Sequence, residues 1–406
     1  METIKIAWRN LWRNKRRTLI TSASVFFAIF LALLMRGFQL GSYDLMVYNI
    51  VHAYSGYFQV HATGYWDDKI INNSFEYTPE LQQKISEVPE VDGYALRLES
   101  FALGSFGMQT KGVMVTGIVP DEENQLTGLQ KKLVEGSYLL PDDDGALVSQ
   151  KLAKYLKISP GDTLVLIGQG FHGMSAAGIF PVRGIVHFPS PDLDSRMVYL
   201  SLPSSQGLFS ADNRLTSISF NVPDVKKYEK AAAILKGRLD PATYEVMTWK
   251  EMMPDVVQQI QSDNVSGLIM LGILYMIVGF GIFGTILMLF SERTREFGMM
   301  IAIGMPKLNL IRIVVTELFM TGFLGVIAGI VAAVPLLYYF HIHPIPITGE
   351  MAETTIQMGF EPIMPAAWEA SYFLGQSLTV VIIMLVVMIL PVVKISRLTV
   401  ITALRK

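Results

Sequence analysis

The chain has 406 residues, 51% of them hydrophobic and 17% charged, with a mean hydropathy of +0.39, which excludes a wholly soluble protein and predicts membrane spans attached to a sizeable soluble part. Cysteine is absent, so disulfides, zinc–thiolate sites and a cysteine nucleophile are excluded. The net charge of −2 becomes informative only when it is divided along the chain.

Residues 1–17 read as an interfacial amphipathic helix, with Ile4, Ala7, Trp8, Leu11 and Trp12 on one stripe and Lys5, Arg9, Arg13 and Arg16 on another. Two tryptophans beside a basic face predict a helix in the lipid headgroup region, anchored by Trp8, Arg9, Trp12 and Arg13. A nucleic-acid patch is the competing reading, and the apolar run that follows at once argues against it. That run, Thr18 to Met35, is too long for a signal peptide and is followed by no small-residue cleavage site.

The first span, 18–36, is expected to continue as a stalk helix over 37–54, because that stretch is free of proline and keeps apolar residues at helical spacing. Residues 56–247 then read as an α/β or α+β domain. Its strands are expected at Gly112 to Val119, Thr163 to Ile167, Val182 to Phe188, Met197 to Leu200 and Ser217 to Val222, with more strand sequence starting at Tyr57 to His61. Helices are expected at Pro79 to Val88, Val148 to Leu156 and Val225 to Leu239. Thr248 to Glu251 fits a capping box, and a second stalk helix over 248–265, with a bend at Pro254, leads back to the membrane.

Three further apolar runs are long enough to cross a hydrocarbon core, which takes about 20 residues: 266–290, 313–339 and 371–393, the last ending near Pro391. Span three contains Gly325 and Gly329 in GxxxG spacing and span two holds several glycines, so close helix packing is expected at both. Between spans two and three, 291–312 reads as a short amphipathic helix that Gly304 and Pro306 end. Docking into a groove on a cytosolic partner and a plain interfacial turn are both compatible with its spacing. The linker 340–370 reads as an outer polar loop.

Segments 1–17, 291–312 and 394–406 hold 14 Lys and Arg against three acids, Glu2, Glu292 and Glu296. The sequence 36–265 with 340–370 holds 19 against 31. By the positive-inside rule both termini are cytosolic and the large domain lies outside.

Several motifs carry a resemblance that covers nearly the whole chain. Glu292 to Gly304 reads E-R-T-R-E-F-G-M-M-I-A-I-G, Trp8 to Thr18 reads W-R-N-L-W-R-N-K-R-R-T, and Ile395 to Leu404 reads I-S-R-L-T-V-I-T-A-L. In the soluble part, the run Val148 to Leu166 contains L-A-K-Y-L-K-I-S-P-G-D-T-L-V-L, and Val115 to Pro120 is followed by Glu135-Gly136-Ser137-Tyr138. These segments resemble the FtsX-like ABC transporter permeases, a family that includes lipoprotein-releasing (LolC/LolE-type) and MacB-type subunits. The resemblance implies a mechanotransmission-type permease of the bacterial inner membrane with a periplasmic domain. It implies two copies of a cytosolic ABC ATPase that hold the ATP and Mg, a second permease copy or paralogue, and no cofactor on this chain. The ATPase-coupling residues it implies are Glu292, Arg293, Arg295, Glu296, Gly298, Met300 and Gly304.

Lipoprotein release is the favoured cargo reading, with acyl chains held in an apolar groove between spans one and two and a periplasmic partner receiving the cargo. A MacB-type exporter of drugs or peptides and an FtsX-type regulator of periplasmic enzymes are the alternatives. An ATP-independent transporter and a sensor belong to other classes. The first of these calls for intramembrane charges and broken helices, which the spans lack.

Other chemistry is weaker. Gly279, Gly281 and Gly284 spell GxGxxG inside an apolar span, where no dinucleotide site forms, and no GxxxxGK[ST] occurs. His341 and His343, with Glu350, Glu353 and Glu361, have spacing unlike usual metal-ligand pairs. His52, His61, His172 and His187 are scattered and no GxSxG occurs, so hydrolase chemistry is unsupported and the chain is read as non-catalytic. Glu317 is the one acid within an apolar span. It lies near Arg312 at the basic boundary, so snorkelling, or pairing with Arg312 or a coupling-loop arginine, with a structural or transmission role, is favoured over a proton relay.

Overall fold

A computed structural model describes the chain except Met1, Asn14, Glu90, Met358, Gly359, Ile401, Thr402 and Leu404 to Lys406. The last part of the expected closing helix therefore lies outside the described residues, as does the side chain of Ile4. Two compact units form: residues 1–44, 260–346 and 363–406 make one, and 45–259 with 347–362 the other.

In the first unit, four helices among the described residues are long and apolar enough to cross a membrane. The first, Lys15–Ile50, spans 36 residues, or about 54 Å at the α-helical rise. It starts before the apolar run, so the basic Lys15 and Arg16 belong to it and not to the preceding helix, Glu2–Arg13. The second, Pro254–Ala302, has 49 residues. Pro254 opens this helix and does not bend it, because the first position needs no N–H partner. No separate short helix follows span two: without a breaker from Phe290 onward the span runs on to Ala302, and Gly304 at φ 105° ends it.

The third span helix, Lys307–Ile342, packs on the first through its glycines. A Cβ at Gly325 would sit 2.5 Å from the Ser22 carbonyl oxygen, and one at Gly329 2.9 Å from the Ile29 Cβ. Val25, Ala28, Ile29 and Leu33 are fully buried in the same core. The glycines of span two divide: Gly267 lies against Gln39, whereas Gly272, Gly281 and Gly284 face open space and pack nothing. Span four is interrupted at Met388, between helices Ala370–Val387 and Ile389–Ser396. Pro391 lacks the N–H that Val387 would receive and its ring crowds that carbonyl, so the break falls before the proline.

The linker 340–370 is more ordered than a polar loop. A two-residue pair, Ile345–Pro346 with Ile363–Met364, and a helix, Glu350–Gln357, form within it. His341 Nδ1 lies 2.9 Å from the Ala366 carbonyl oxygen, and His343 stacks on Tyr339.

The second unit is built on a ten-stranded mixed sheet. Its first strands are β1 (Phe58–Ala62), the separate β2 (Phe75–Glu76), β3 (Gly93–Phe106) and β4 (Gln109–Ile118). Then come β5 (Leu133–Gly136), β6 (Ala146–Ser149), β7 (Thr163–Gln169) and β8 (Ser175–Val186). The last are β9 (Met197–Ser201), β10 (Arg214–Leu215), which pairs with β2, β11 (Ser217–Asn221) and β12 (Tyr244–Thr248). The sheet order is β12-β1-β11-β3-β4-β9-β6-β8-β5, with β7 bridging β3 and β8. Helices that include Pro79–Ser86, Gln150–Leu156, Leu202–Phe209 and Tyr228–Arg238 bury Leu81, Ile85, Leu152, Leu156, Phe209 and Leu235 in its main core.

Val148 to Leu156 is not one helix. Leu147 and Val148 pair with β9, and the helix begins only at Gln150. Likewise β8 starts at Ser175, seven residues before the expected strand, because β7 pairs along its whole first half. The capping box at Thr248 is present, with Glu251 bonding back to the Thr248 N–H at 2.7 Å.

Candidate functional site

The basic end of the membrane unit is organised by one buried ion pair. Arg293, near the end of the second span helix, donates through Nη1 to both carboxylate oxygens of Glu317 on the third, at 3.0 and 2.9 Å. Both side chains are almost fully buried, at 7% and 6% exposure. Asn10 of the N-terminal helix donates to Glu317 Oε2 at 3.3 Å, and Arg293 Nε to Glu296 Oε2 at 3.2 Å. Three separate helices therefore meet at one carboxylate. Taking either charge out of water is costly, and the pair is tolerable because each partner is satisfied by the other.

This placement corrects the sequence expectation for Arg293. It does not share an open docking face with Arg295; it points into the helix bundle, over the ring of Phe297, which is itself buried. Arg295, Glu292 and Glu296 are exposed. Arg13 approaches Glu296 at 3.8 Å with both groups about half exposed, a contact worth little. Arg312 is exposed, and its carbonyl accepts from Thr316.

Gly298 is buried: a Cβ there would meet the Ala403 Cβ at 2.5 Å, so the segment lies directly against the C-terminal tail. Lys307 donates to the Ser396 carbonyl at 2.9 Å, a second tie to the same tail. Met300 and Ile301 pack on the bundle core. The apolar groups left facing out are others, Met299, Ile303 at 89% exposure and Leu308. These sequence reasoning missed, since the residue that counts as outward depends on where the span helix stops.

The N-terminal helix divides its apolar stripe. Ala7 and Leu11 are buried and the helix packs on the third span, while Trp8 and Trp12 stay about half exposed in an edge-to-face pair, with Arg9 exposed beside them. A cleft of about 780 Å³ runs between the first and second span helices. It is lined by Ile20, Phe280, Gly284 and Met288 and rimmed by Arg13, Lys15 and Arg16, which puts it at the basic end of the membrane unit.

Four long apolar helices, an α/β domain inserted between the first two, and a charge-locked basic end define a polytopic membrane protein of the permease class. Residues 18–238 match the MacB-like periplasmic core domain and 268–400 match the FtsX-like permease C-terminal model. The chain belongs to the FtsX-like ABC permease family that carries a MacB-like periplasmic core domain.

Among its relatives, the lipoprotein-releasing system transmembrane protein LolC of Xylella fastidiosa is 23% identical over 62% of this chain. The chain spans 62% of that relative's length. LolC of Neisseria meningitidis is 20% identical over 74% of this chain and 71% of its own. The pyoverdine export ATP-binding/permease protein PvdT of Pseudomonas syringae is 25% identical over 83% of this chain and 52% of its own. The solved periplasmic region of MacB from Actinobacillus actinomycetemcomitans is 15% identical, covers 50% of this chain and 92% of that one, and has a TM-score of 0.36. The extracellular domain of YknZ gives a TM-score of 0.34 at 15% identity, over 47% of this chain and 98% of its own.

Proposed function

We propose that this chain is the membrane subunit of an ATP-driven assembly in the bacterial inner membrane, with both termini in the cytosol and the α/β domain in the periplasm. A separate cytosolic ABC ATPase, which holds the nucleotide and Mg, grips the end of the second span helix. Two permeases, identical or paralogous, move with two ATPases, and the motion is spent on the periplasmic side. The observation that carries this reading is the tip of that helix. Met299, Ile303 and Leu308 stand exposed beside Glu292 and Arg295, on a segment held rigid by Arg293–Glu317 and by the tail at Ala403. An exposed apolar cluster with charges at its rim is the composition of a protein-docking surface.

The cargo we favour is a lipoprotein taken from the outer leaflet. Similarity to proteins named as lipoprotein-releasing subunits supports it, and so do spans in which, among the described residues, Glu317 is the only buried acid, since no polar path across the bilayer is then needed. The likeness to a protein named as a pyoverdine export ATP-binding/permease protein supports a second reading, export of small molecules. ATPase activity of the purified assembly decides between them: stimulation by a triacylated lipoprotein and none by a siderophore or macrolide supports the first, and the reverse result ends it. Ile303→Asp with Arg295→Glu, both exposed and outside the bundle core, is expected to separate ATPase from membrane subunit in pull-downs. Retained assembly and retained release would refute the docking surface.

A further inference from the structure

The first span helix ends inside the outer domain, and the manner of its ending is unusual. Its last turn is a π-helix, Val51–Ser55, closed by Gly56 at φ 68° with the Gly56 N–H on the Val51 carbonyl. A helix C-terminus leaves carbonyl oxygens without partners and carries a partial negative charge. Here two cations take those carbonyls. Arg97 Nη1 donates to the Tyr54 oxygen at 2.6 Å, and Lys132 Nζ to the His52 oxygen at 3.0 Å. Gln59 Nε2 takes the Ser55 oxygen at 2.6 Å.

Each cation is held in turn by the sheet and its helices. Arg97, on β3, is fully buried and forms a two-pronged pair with Glu123 of helix Pro120–Thr127, at 2.8 and 2.7 Å, and reaches Ser219 of β11 at 3.2 Å. Its guanidinium also lies over the Tyr54 ring at 4.5 Å. The Tyr54 hydroxyl donates to Glu99 of β3, which accepts from Tyr65 as well. Lys132 leads into β5 and lies 5.4 Å from the centre of the Phe188 ring. Buried ion pairs are poor sources of stability compared with apolar packing, so this density of charge at one helix end calls for a geometric explanation.

We propose that Arg97, Glu123 and Lys132 are positioning residues that clamp the outer end of the first span helix to β3, to β11 and to the lead into β5, so that any displacement of that helix is delivered to the sheet. The clamp rests on the transport reading for its use, and its mechanical part can be tested apart from it.

The chain's lack of cysteine lets two be introduced cleanly, at half-buried Met46 on the helix and at Met108, which is 97% exposed in the β3–β4 turn. Spin labels there, with labelled chain diluted into unlabelled chain in vesicles holding the whole assembly, report the helix-to-sheet distance. The intact clamp gives one narrow distance with and without nucleotide. In Arg97→Met/Glu123→Met/Lys132→Met the distribution broadens. ATP hydrolysis continues, and release of a purified lipoprotein falls by about tenfold or more, the size of a lost coupling. An unchanged narrow distance would overturn the clamp. Should the triple variant fail to fold, Lys132→Met alone decides: broadening with unchanged melting temperature supports the proposal, and an unchanged distribution refutes it. If the unsubstituted assembly shows no ATP-dependent release, the transport reading falls and the distance measurement still judges the clamp.

Discussion

Glu317 would be expensive on an apolar helix, and Arg293 is what makes it tolerable. Glu317→Ala should cost about 3–5 kcal/mol, because Arg293 is left buried and uncompensated, whereas Arg293→Leu with Glu317→Leu should recover most of that loss. Thermal unfolding in detergent measures both, and a double variant no more stable than the single one would contradict the pairing. Lys132 supplies a pH signature. Burial pushes its ammonium down from 10.5 to about 8, with Glu123 opposing and Arg97 adding, beside a His52 whose own value burial lowers. Between these two values the unfolded chain binds the proton that the folded chain has released, so this residue's contribution to stability rises with pH from about 8 to 10.5. Stability measured against Lys132→Met across that window should diverge in this direction, and parallel curves would show the lysine to be unperturbed. The acid on span three was legible in the sequence, but whether it snorkels, pairs with Arg312 or pairs with a coupling-loop arginine was not. Which arginine was not legible, because Arg293 and Arg295 differ only in the helix face they occupy once span two is known to be continuous.

At the scale of elements, glycines separate packed from unpacked helix faces. Gly325→Leu should push the first and third span helices apart and cost about 1–3 kcal/mol, since the new side chain meets the Ser22 backbone. Gly284→Leu, where a Cβ meets nothing within 4 Å, should leave unfolding nearly unchanged. Equal effects at the two positions would mean that the GxxxG pair does not set the helix contact. The same contrast explains a failure of sequence reasoning: small residues at close spacing appear in both spans, and only the partner helix reveals which are in contact. The strand β3 went unpredicted for a related reason. Its buried residues run without a break from Ala95 to Leu98 and alternate with more exposed ones only from Leu98 to Gly104, so the strand as a whole shows no single period.

For the molecule as a whole, the orientation read from Lys and Arg is open to a direct check. Cysteines at Met108 and at Arg397, both exposed and both outside the proposed docking surface, should react with an impermeant maleimide from opposite sides of the membrane. Met108→Cys should label in intact cells with a permeabilised outer membrane, and Arg397→Cys only after the inner membrane is opened. The opposite pattern would invert the topology and with it the proposed ATPase contact.

The sequence by itself determined the four membrane-crossing runs, their bias of positive charge and the presence of a mixed soluble domain between the first two. Those properties follow from local hydropathy and composition, which are summed over neighbours along the chain. The tertiary structure alone decided that Arg293 turns inward and Ile303 outward, that Gly298 touches the tail, and that Arg97, Glu123 and Lys132 converge on a helix end 43 to 80 residues away. Such contacts join residues far apart in the chain, and the free energy that selects them arises from burial and pairing in three dimensions, which no local pattern encodes.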